Sequence, residues 1–269
     1  MMSGKKWRLI VDRVPTAGDW NMAVDEFLFR SLTDDPSTIV RFYRWERPTV
    51  SLGAGQTTAR VVDLEFCRRN GLGVVRRPTG GKLVLHDREV TYAVVSSDDG
   101  TFTSTLGGSY LWISQALVKG LESLGLKPSL AAETPSGYAK GTMPCFSRPA
   151  RDEIEIDGRK IIGSAQKRIG NRFLQHGSIP LAKDEELLRA VSLRKEDPAG
   201  VIRMTSLSEA LGRPVGFDEA AGRFIEGLAA FGGVEFEARS LEDAERAAIE
   251  DLRRRKYGTE AWTIDRREP

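Results

Sequence analysis

Cysteine, histidine, long apolar runs and net charge are all scarce in this chain, and each scarcity excludes something. Only two cysteines, Cys67 and Cys145, occur in 269 residues, so no disulfide framework can staple the fold. The two histidines, His86 and His176, have no cysteine or histidine at ligand spacing, and no metal site is expected. Forty basic residues against 38 acidic ones leave a formal charge of +2, without the excess that a nucleic-acid-binding domain carries. No apolar run approaches the roughly 18 residues that would cross a bilayer, and Met1 to Trp7 leads into no signal-peptide core. The expected compartment is the cytoplasm, where thiols stay reduced, with neither nucleic acid nor membrane as partner.

The chain does hold apolar material for a core, at 40% hydrophobic and 29% charged residues. Without repeats, low-complexity tracts or linkers, residues 1–269 read as one domain. Trp20, Ala23, Val24, Phe27 and Leu28 recur with helical period after a capping Asp19. Strands are predicted over Ile39 to Trp45, Thr49 to Leu52, Leu83 to Leu85 and Val90 to Val95, with a short helix at 63–70 that takes Cys67 into the core. Ser109 is read as the start of the longest central helix. Residues 131–144 follow no period, as functional loops often do. Two hairpins are expected, one at Asp157-Gly158 and one at Gly170-Asn171, because such pairs tolerate positive φ. Later helices are placed at 184–191, after Thr205, at 218–230 and, capped by Ser240, at 240–256. The basic run from Arg253 to Lys256 on that last helix is read as a solvated face. Strands in the centre and helices at the ends favour an α+β fold with a mixed sheet.

Cys145 stands between the aperiodic loop and a strand, fifteen residues before Lys160. A thiol is a strong nucleophile only as thiolate, and a nearby ammonium is a direct way to populate that form. Packing alone would equally account for Cys145, and a strand lysine such as Lys160 ordinarily faces solvent. Arg76-Arg77-Pro78-Thr79-Gly80-Gly81-Lys82 joins two strands, and its glycines allow backbone N–H groups to approach an oxygen while the arginines supply charge; a simple turn is the plainer alternative. His86-Asp87 is open in the same way. Small residues in Gly163-Ser164-Ala165-Gln166 leave room for a slim ligand such as an acyl chain, or for a bulge. His176, in Gln175-His176-Gly177-Ser178, can reach the same cleft as base or hydrogen-bond donor, or be purely structural.

In order and spacing, the Arg76–Asp87, Asp157–Gln166 and Leu174–Ile179 segments resemble the lipoate–protein ligase and octanoyltransferase superfamily. The resemblance runs from Asn21-Met22-Ala23-Val24-Asp25-Glu26 to Lys256-Tyr257, nearly the whole chain. It implies a central mixed β-sheet with flanking helices, of the biotin/lipoate–protein ligase type, and transfer of an acyl group onto a carrier-domain lysine. Cys145-Phe146-x-x-Pro149 and Lys82 look like the cysteine-dependent octanoyltransferases that charge the glycine cleavage H protein from octanoyl-acyl carrier protein. On that resemblance Cys145 carries the acyl thioester and Lys160 promotes its thiolate. Arg76, Arg77, Thr79, Gly80, Gly81 and His86 then hold the acyl group from one side. Gly163, Ser164, Ala165, Gln166, His176 and Gly177 hold it from the other. The implied acceptor is the H protein or another lipoyl domain, no cofactor is required, and no C-terminal accessory domain follows. An ATP- and magnesium-dependent lipoate ligase, an octanoyl amidotransferase and a non-catalytic carrier-binding protein are the alternatives.

Overall fold

The computed structural model describes residues 5–33, 35–132, 152–193 and 203–268. A six-stranded sheet organises it, built from β1 (Lys5–Val11), β2 (Thr38–Tyr43), β6 (Glu89–Ser96), β10 (Gly163–Ile169), β11 (Arg172–Pro180) and β12 (Val234–Ala238). The strand order is β10-β11-β6-β2-β1-β12, antiparallel from β10 to β2 and parallel where β1 meets β2 and β12. The mixed sheet expected from the sequence is therefore present. Its two terminal contributions, β1 and β12, were not predicted, although Val234 and Phe236 alternate with Glu235 and Glu237 in strand period.

Side-chain alternation sends the two faces of the sheet into separate cores. Trp7, Val40, Phe42, Tyr92 and Val94 pack beneath α3 (Leu106–Ser123) and α6 (Phe217–Gly232). Ile10, Tyr43, Ala93, Val95 and Leu174 face α1 (Gly18–Arg30) and α7 (Asp243–Leu252). A small sheet of β3 (Thr49–Leu52), β4 (Gly73–Arg76) and β5 (Val84–His86) stands beside the α1 side, with α2 (Leu64–Arg69) and α4 (Glu185–Val191) over its own core. A third sheet joins β7 (Ser129–Leu130), β8 (Ile154–Ile156) and β9 (Arg159–Lys160). The helix α5 (Leu207–Leu211) and the last helix α8 (Glu260–Thr263) complete the elements.

Both hairpins form where expected: Ile156 pairs with Arg159 across Asp157 (φ 50°) and Gly158 (φ 70°), and Ile169 pairs with Arg172. Three helix starts differ from the sequence reading. Ala17 rather than Asp19 precedes α1, and the Asp19 carboxylate instead takes the N–H of Trp20 and the guanidinium of Arg253. Thr105, four residues before Ser109, caps α3 by accepting from the Gly108 N–H. Glu242, not Ser240, opens α7 through a capping box with Glu245. The basic run after α7 forms a π-helical turn, and its Lys256 is buried rather than solvated. Its ammonium meets Glu26 at 3.1 Å and lies 3.9 Å from the centre of the Trp262 ring. A cation placed there needs both partners to offset its lost hydration. No helix among the described residues is long and apolar enough to cross a membrane.

Candidate active site

Sheet register builds the site. Ala165, His176, Ala93 and Arg41 align across β10, β11, β6 and β2; Gly163, Ser178, Thr91 and Tyr43 form the rung beside them. Both rungs point toward α1 and the small sheet, because residues two apart on a strand share a face. Ala93 is short, so Asp25 of α1 fits between the side chains of Arg41 and His176. Over these rungs lies a cavity with an empty volume of about 400 Å³, including its open mouth. Its floor is formed by buried Met22, Tyr43, Trp45 and Thr91, whereas Gly81, Ser164 and Ala165 at the other end have solvent access. Such a pocket suits a slim ligand with an apolar tail and a polar head left at the mouth.

Two buried carboxylate–histidine pairs flank it. Asp25 Oδ2 lies 2.8 Å from His176 Nδ1, and His176 Nε2 lies 2.6 Å from Thr79 Oγ1. Glu89 Oε1 lies 2.8 Å from His86 Nδ1, and His86 Nε2 lies 2.6 Å from Ser51 Oγ. Ser51 Oγ in turn accepts from Arg77 at 2.6 Å. The other Arg77 nitrogen closes the turn by donating to the carbonyls of Gly80 and Lys82. Trp45 stacks on His86 with ring centres 4.0 Å apart and donates its N–H to Thr91.

Burial works to raise the Asp25 pKa, but the bond from His176 and the charge of Arg41 outweigh it and hold the carboxyl below its ordinary 3.8. Burial pushes His176 below its ordinary 6.5 against the pull of Asp25, with the charges of Arg77 and His86 acting in the same downward direction. Both signs destabilise the fold in acid. The unfolded chain takes up a proton at His176 as pH falls below about 6.5 while the folded one resists, and the Asp25 contribution is lost as pH drops through its lowered pKa. Urea midpoints are expected to decline from about pH 7 to pH 5. His176→Gln should flatten that slope, and an unchanged slope would contradict the neutral assignment.

The glycines of the loop over the mouth have geometric reasons. Gly81 has φ +92° and lines the cavity. The amide N–H groups of Gly80 and Gly81 have no hydrogen-bond acceptor among the described residues, which leaves them for a ligand oxygen or water. Gly177 is required by close approach: a Cβ there would lie 2.5 Å from the Tyr92 ring and 2.8 Å from Ser164 Oγ. Those two groups hydrogen-bond across it at 2.7 Å. Burial pushes the Tyr92 hydroxyl up to about 12.

The sequence-derived set is thus largely brought together. Arg77, Gly81, His86, Gly163, Ser164 and Ala165 line the cavity, as do His176 and Gly177, while Thr79 and Gly80 complete the loop over it. Gln166 belongs to a neighbouring chain of amides and hydroxyls, bonded to Gln175 and Ser109. Arg76 is a correction: its guanidinium turns away from the cavity to the carbonyls of Gly53, Gln56 and Thr263. It bears on the glycine loop only indirectly, by holding the 53–56 segment, whose Gly53 lies against Gly81. His176 has both ring nitrogens engaged, so it is not a free base in this arrangement. Lys160 is buried rather than solvent-facing, with its ammonium 2.6 Å from Glu153 Oε1. Tyr110, on α3, lies in the field of both, and burial pushes its hydroxyl well above its ordinary 10. Cys145 lies outside the described residues. Cys67 is inert: burial, then Asp63, pushes its thiol up to about 11.

Sequence reasoning missed Asp25, Glu89, Ser51 and Glu153 as site components. One signal was legible: Asp25-Glu26 falls between Ala23-Val24 and Phe27-Leu28, where a surface pair of acids is out of place on an apolar helix face.

The fold and cavity define a mixed-sheet α+β protein with an apolar-floored pocket under a glycine loop. Residues 18–229 match the lipoyl protein ligase A/B catalytic domain, and the chain belongs to that family. Octanoyltransferase LipM of Geobacillus kaustophilus is 38% identical to it over 98% of this chain and 100% of that protein. The protein of the same name from Brevibacillus brevis is 36% identical over 97% of this chain and 100% of its own. Among solved structures, a lipoate-protein ligase A bound with ATP superposes with TM-score 0.82 at 26% identity, over 96% of this chain and 98% of that one. A lipoate protein ligase of T. acidophilum with bound lipoic acid gives 0.81 at 25%, over 96% and 99%.

Proposed function

We propose that this chain is an octanoyltransferase of lipoylation: it moves an octanoyl group from octanoyl-acyl carrier protein to a lysine of the glycine cleavage H protein or another lipoyl domain, in the cytoplasm. The activity rests on full-length similarity to octanoyltransferases, and one structural observation carries it to the chemistry. A buried, mainly apolar floor lies under a loop whose Gly80 and Gly81 amides have no acceptor among the described residues. The octanoyl tail fits toward Met22 and Trp45, and the carbonyl oxygen then meets those amides, which stabilise the charge that develops on it.

In this reading Cys145 thiolate attacks the donor thioester carbonyl, and the carrier thiol leaves. The acceptor amine then attacks octanoyl-Cys145, forming the amide, while its proton passes to the departing thiolate. Lys160 supplies positive charge near that thiolate, and Glu153 holds the ammonium in place. The chain acts as one catalytic domain. Because the donor is already a thioester, no nucleotide or metal is needed to activate it.

The second reading is an ATP- and magnesium-dependent lipoate ligase, favoured by the fold shared with the ATP-bound ligase. Incubation with octanoyl-carrier and a lipoyl domain, without ATP, is expected to add one octanoyl mass to the acceptor lysine. Lipoate with ATP should release no pyrophosphate. Transfer that appears only with free acid and ATP would replace the first reading with the second.

A further inference from the structure

We infer that Asp25 and Glu89 are positioning residues for this reaction, each setting the tautomer of a histidine that anchors one end of the Arg77–Lys82 loop. The inference builds on the octanoyl-transfer reading and adds two acids that touch no part of the proposed acyl group's reacting end.

Donor counting fixes the proton positions. Arg77 can only donate, so Ser51 Oγ accepts from it and still has its own proton to offer to His86 Nε2. Glu89, as a carboxylate, accepts from His86 Nδ1, which places the single proton of a neutral ring there and leaves Nε2 as the acceptor for Ser51. Glu89 also receives the hydroxyls of Thr91 and Ser178, the latter at 2.6 Å, and no other carboxylate lies along this chain of contacts. At the second histidine, Asp25 Oδ1 accepts from Arg41 at 2.9 Å, and Oδ2 accepts from Tyr43 at 2.9 Å. Flanked by these donors the carboxylate accepts the Nδ1 proton of neutral His176, so Nε2 is a lone pair that takes the Thr79 hydroxyl proton.

Each relay ends on the same short turn. Thr79 holds it from beneath through the side chain and at Ala54 through its carbonyl, 2.8 Å from the Ala54 N–H. Arg77 wraps its far side. Between those two anchors stand Gly80 and Gly81, which have no side chain to hold their amides in direction. Direction matters because an oxyanion donor works only where charge develops, and a small misplacement removes most of its effect. Asp25 and Glu89 are buried behind the cavity wall, where a carboxylate is costly unless donors such as these histidines and hydroxyls surround it.

Asp25→Asn keeps the shape and reverses the logic. With Arg41 still donating to the amide oxygen, the amide nitrogen faces His176 Nδ1 and can only donate. The proton then moves to Nε2, which must donate to Thr79 and turn its hydroxyl away. The chain holds only two histidines, so 15N spectra of the imidazoles are assignable with His86→Gln as the reference. The expected result is a His176 signal pattern changed from Nδ1–H to Nε2–H, with kcat for octanoyl transfer reduced by about 100-fold and KM within a few-fold. His176→Gln, which keeps an amide near Thr79, should retain more kcat than His176→Leu. Glu89→Gln should do to His86 what Asp25→Asn does to His176.

An unchanged His176 tautomer in Asp25→Asn overturns the inference, as does a changed tautomer with kcat retained. If Asp25→Asn does not fold, equal kcat in His176→Gln and His176→Leu overturns it, and the graded order supports it. The tautomer is read without turnover, so absence of octanoyl transfer in the unaltered protein would sink the functional reading while leaving the proton assignment separately testable.

Discussion

Cys145→Ala is expected to lose octanoyl transfer by on the order of a thousandfold or more, the scale on which removal of a covalent nucleophile acts. The chain has two thiols, and the other is accounted for. Cys67 sits in α2 with its thiol raised to about 11, packed in the small-sheet core with Val50, Leu52 and Val62 and absent from the lining of the cavity under the glycine loop. An octanoyl adduct removed by hydroxylamine at neutral pH, where thioesters are cleaved and oxygen esters persist, is therefore expected on Cys145. Intact mass after incubation with octanoyl-carrier should show one added octanoyl group in the unaltered protein and none in Cys145→Ala. Lys160→Met should slow formation of the adduct and move the pH profile of Cys145 alkylation upward, because a nearby ammonium favours thiolate. Glu153→Gln should have a smaller effect in the same assay, since it leaves the ammonium present and weakens only its placement. Full transfer activity in Cys145→Ala would exclude the thioester route, whereas an unchanged alkylation profile in Lys160→Met would confine Lys160 to binding.

Arg41→Met is expected to be the most destabilising single change, at about 3–5 kcal/mol, because it removes one member of a buried charge cluster and leaves the others. Arg41 is fully buried; it donates to Asp12 at 2.8 Å, to Asp25 at 2.9 Å and to Asn21 Oδ1 at 2.7 Å, and it lies 3.9 Å from the centre of the Tyr43 ring. Without it Asp25 stays buried with less countercharge. The carboxyl pKa then rises, and with it the pH at which the fold fails. Arg41→Lys keeps the charge but lacks the fork that reaches Asp12, Asn21 and Asp25 together, so it should recover only part of the loss. By contrast Arg13→Ala removes an ion pair with Asp218 in which both side chains are about 70% exposed, and should change stability by less than about 1 kcal/mol. Urea titrations of the three variants at neutral pH test the ranking. A loss at Arg41→Met no larger than at Arg13→Ala would mean that the cluster is not coupled.

What the sequence determined alone is local or periodic. Alternation in Ile39 to Trp45, and the apolar run Val90 to Val95, marked strands, and each strand has one face in each core. Asp157-Gly158 and Gly170-Asn171 marked hairpins because few residue pairs tolerate the required φ. The order of the Arg76–Asp87, Asp157–Gln166 and Leu174–Ile179 segments identified the family and most of the cavity wall. Tertiary structure decided the rest, since long-range pairing is not written in any one segment. It placed β1 and β12 side by side although 222 residues lie between Val11 and Val234 on the chain. It turned the adjacent arginines to opposite tasks: Arg77 wraps the loop at the cavity, and Arg76 ties the C-terminal helix to the 53–56 segment. It buried Lys160 and Lys256, which composition and strand or helix position would leave in water, because Glu153 and Glu26 arrive from other elements to meet them. The sequence marks Asp25 only as an acid out of place on an apolar helix face; its partners were decided when β2, β6 and β11 lined up Arg41, Ala93 and His176, with the gap above Ala93 left for its carboxylate.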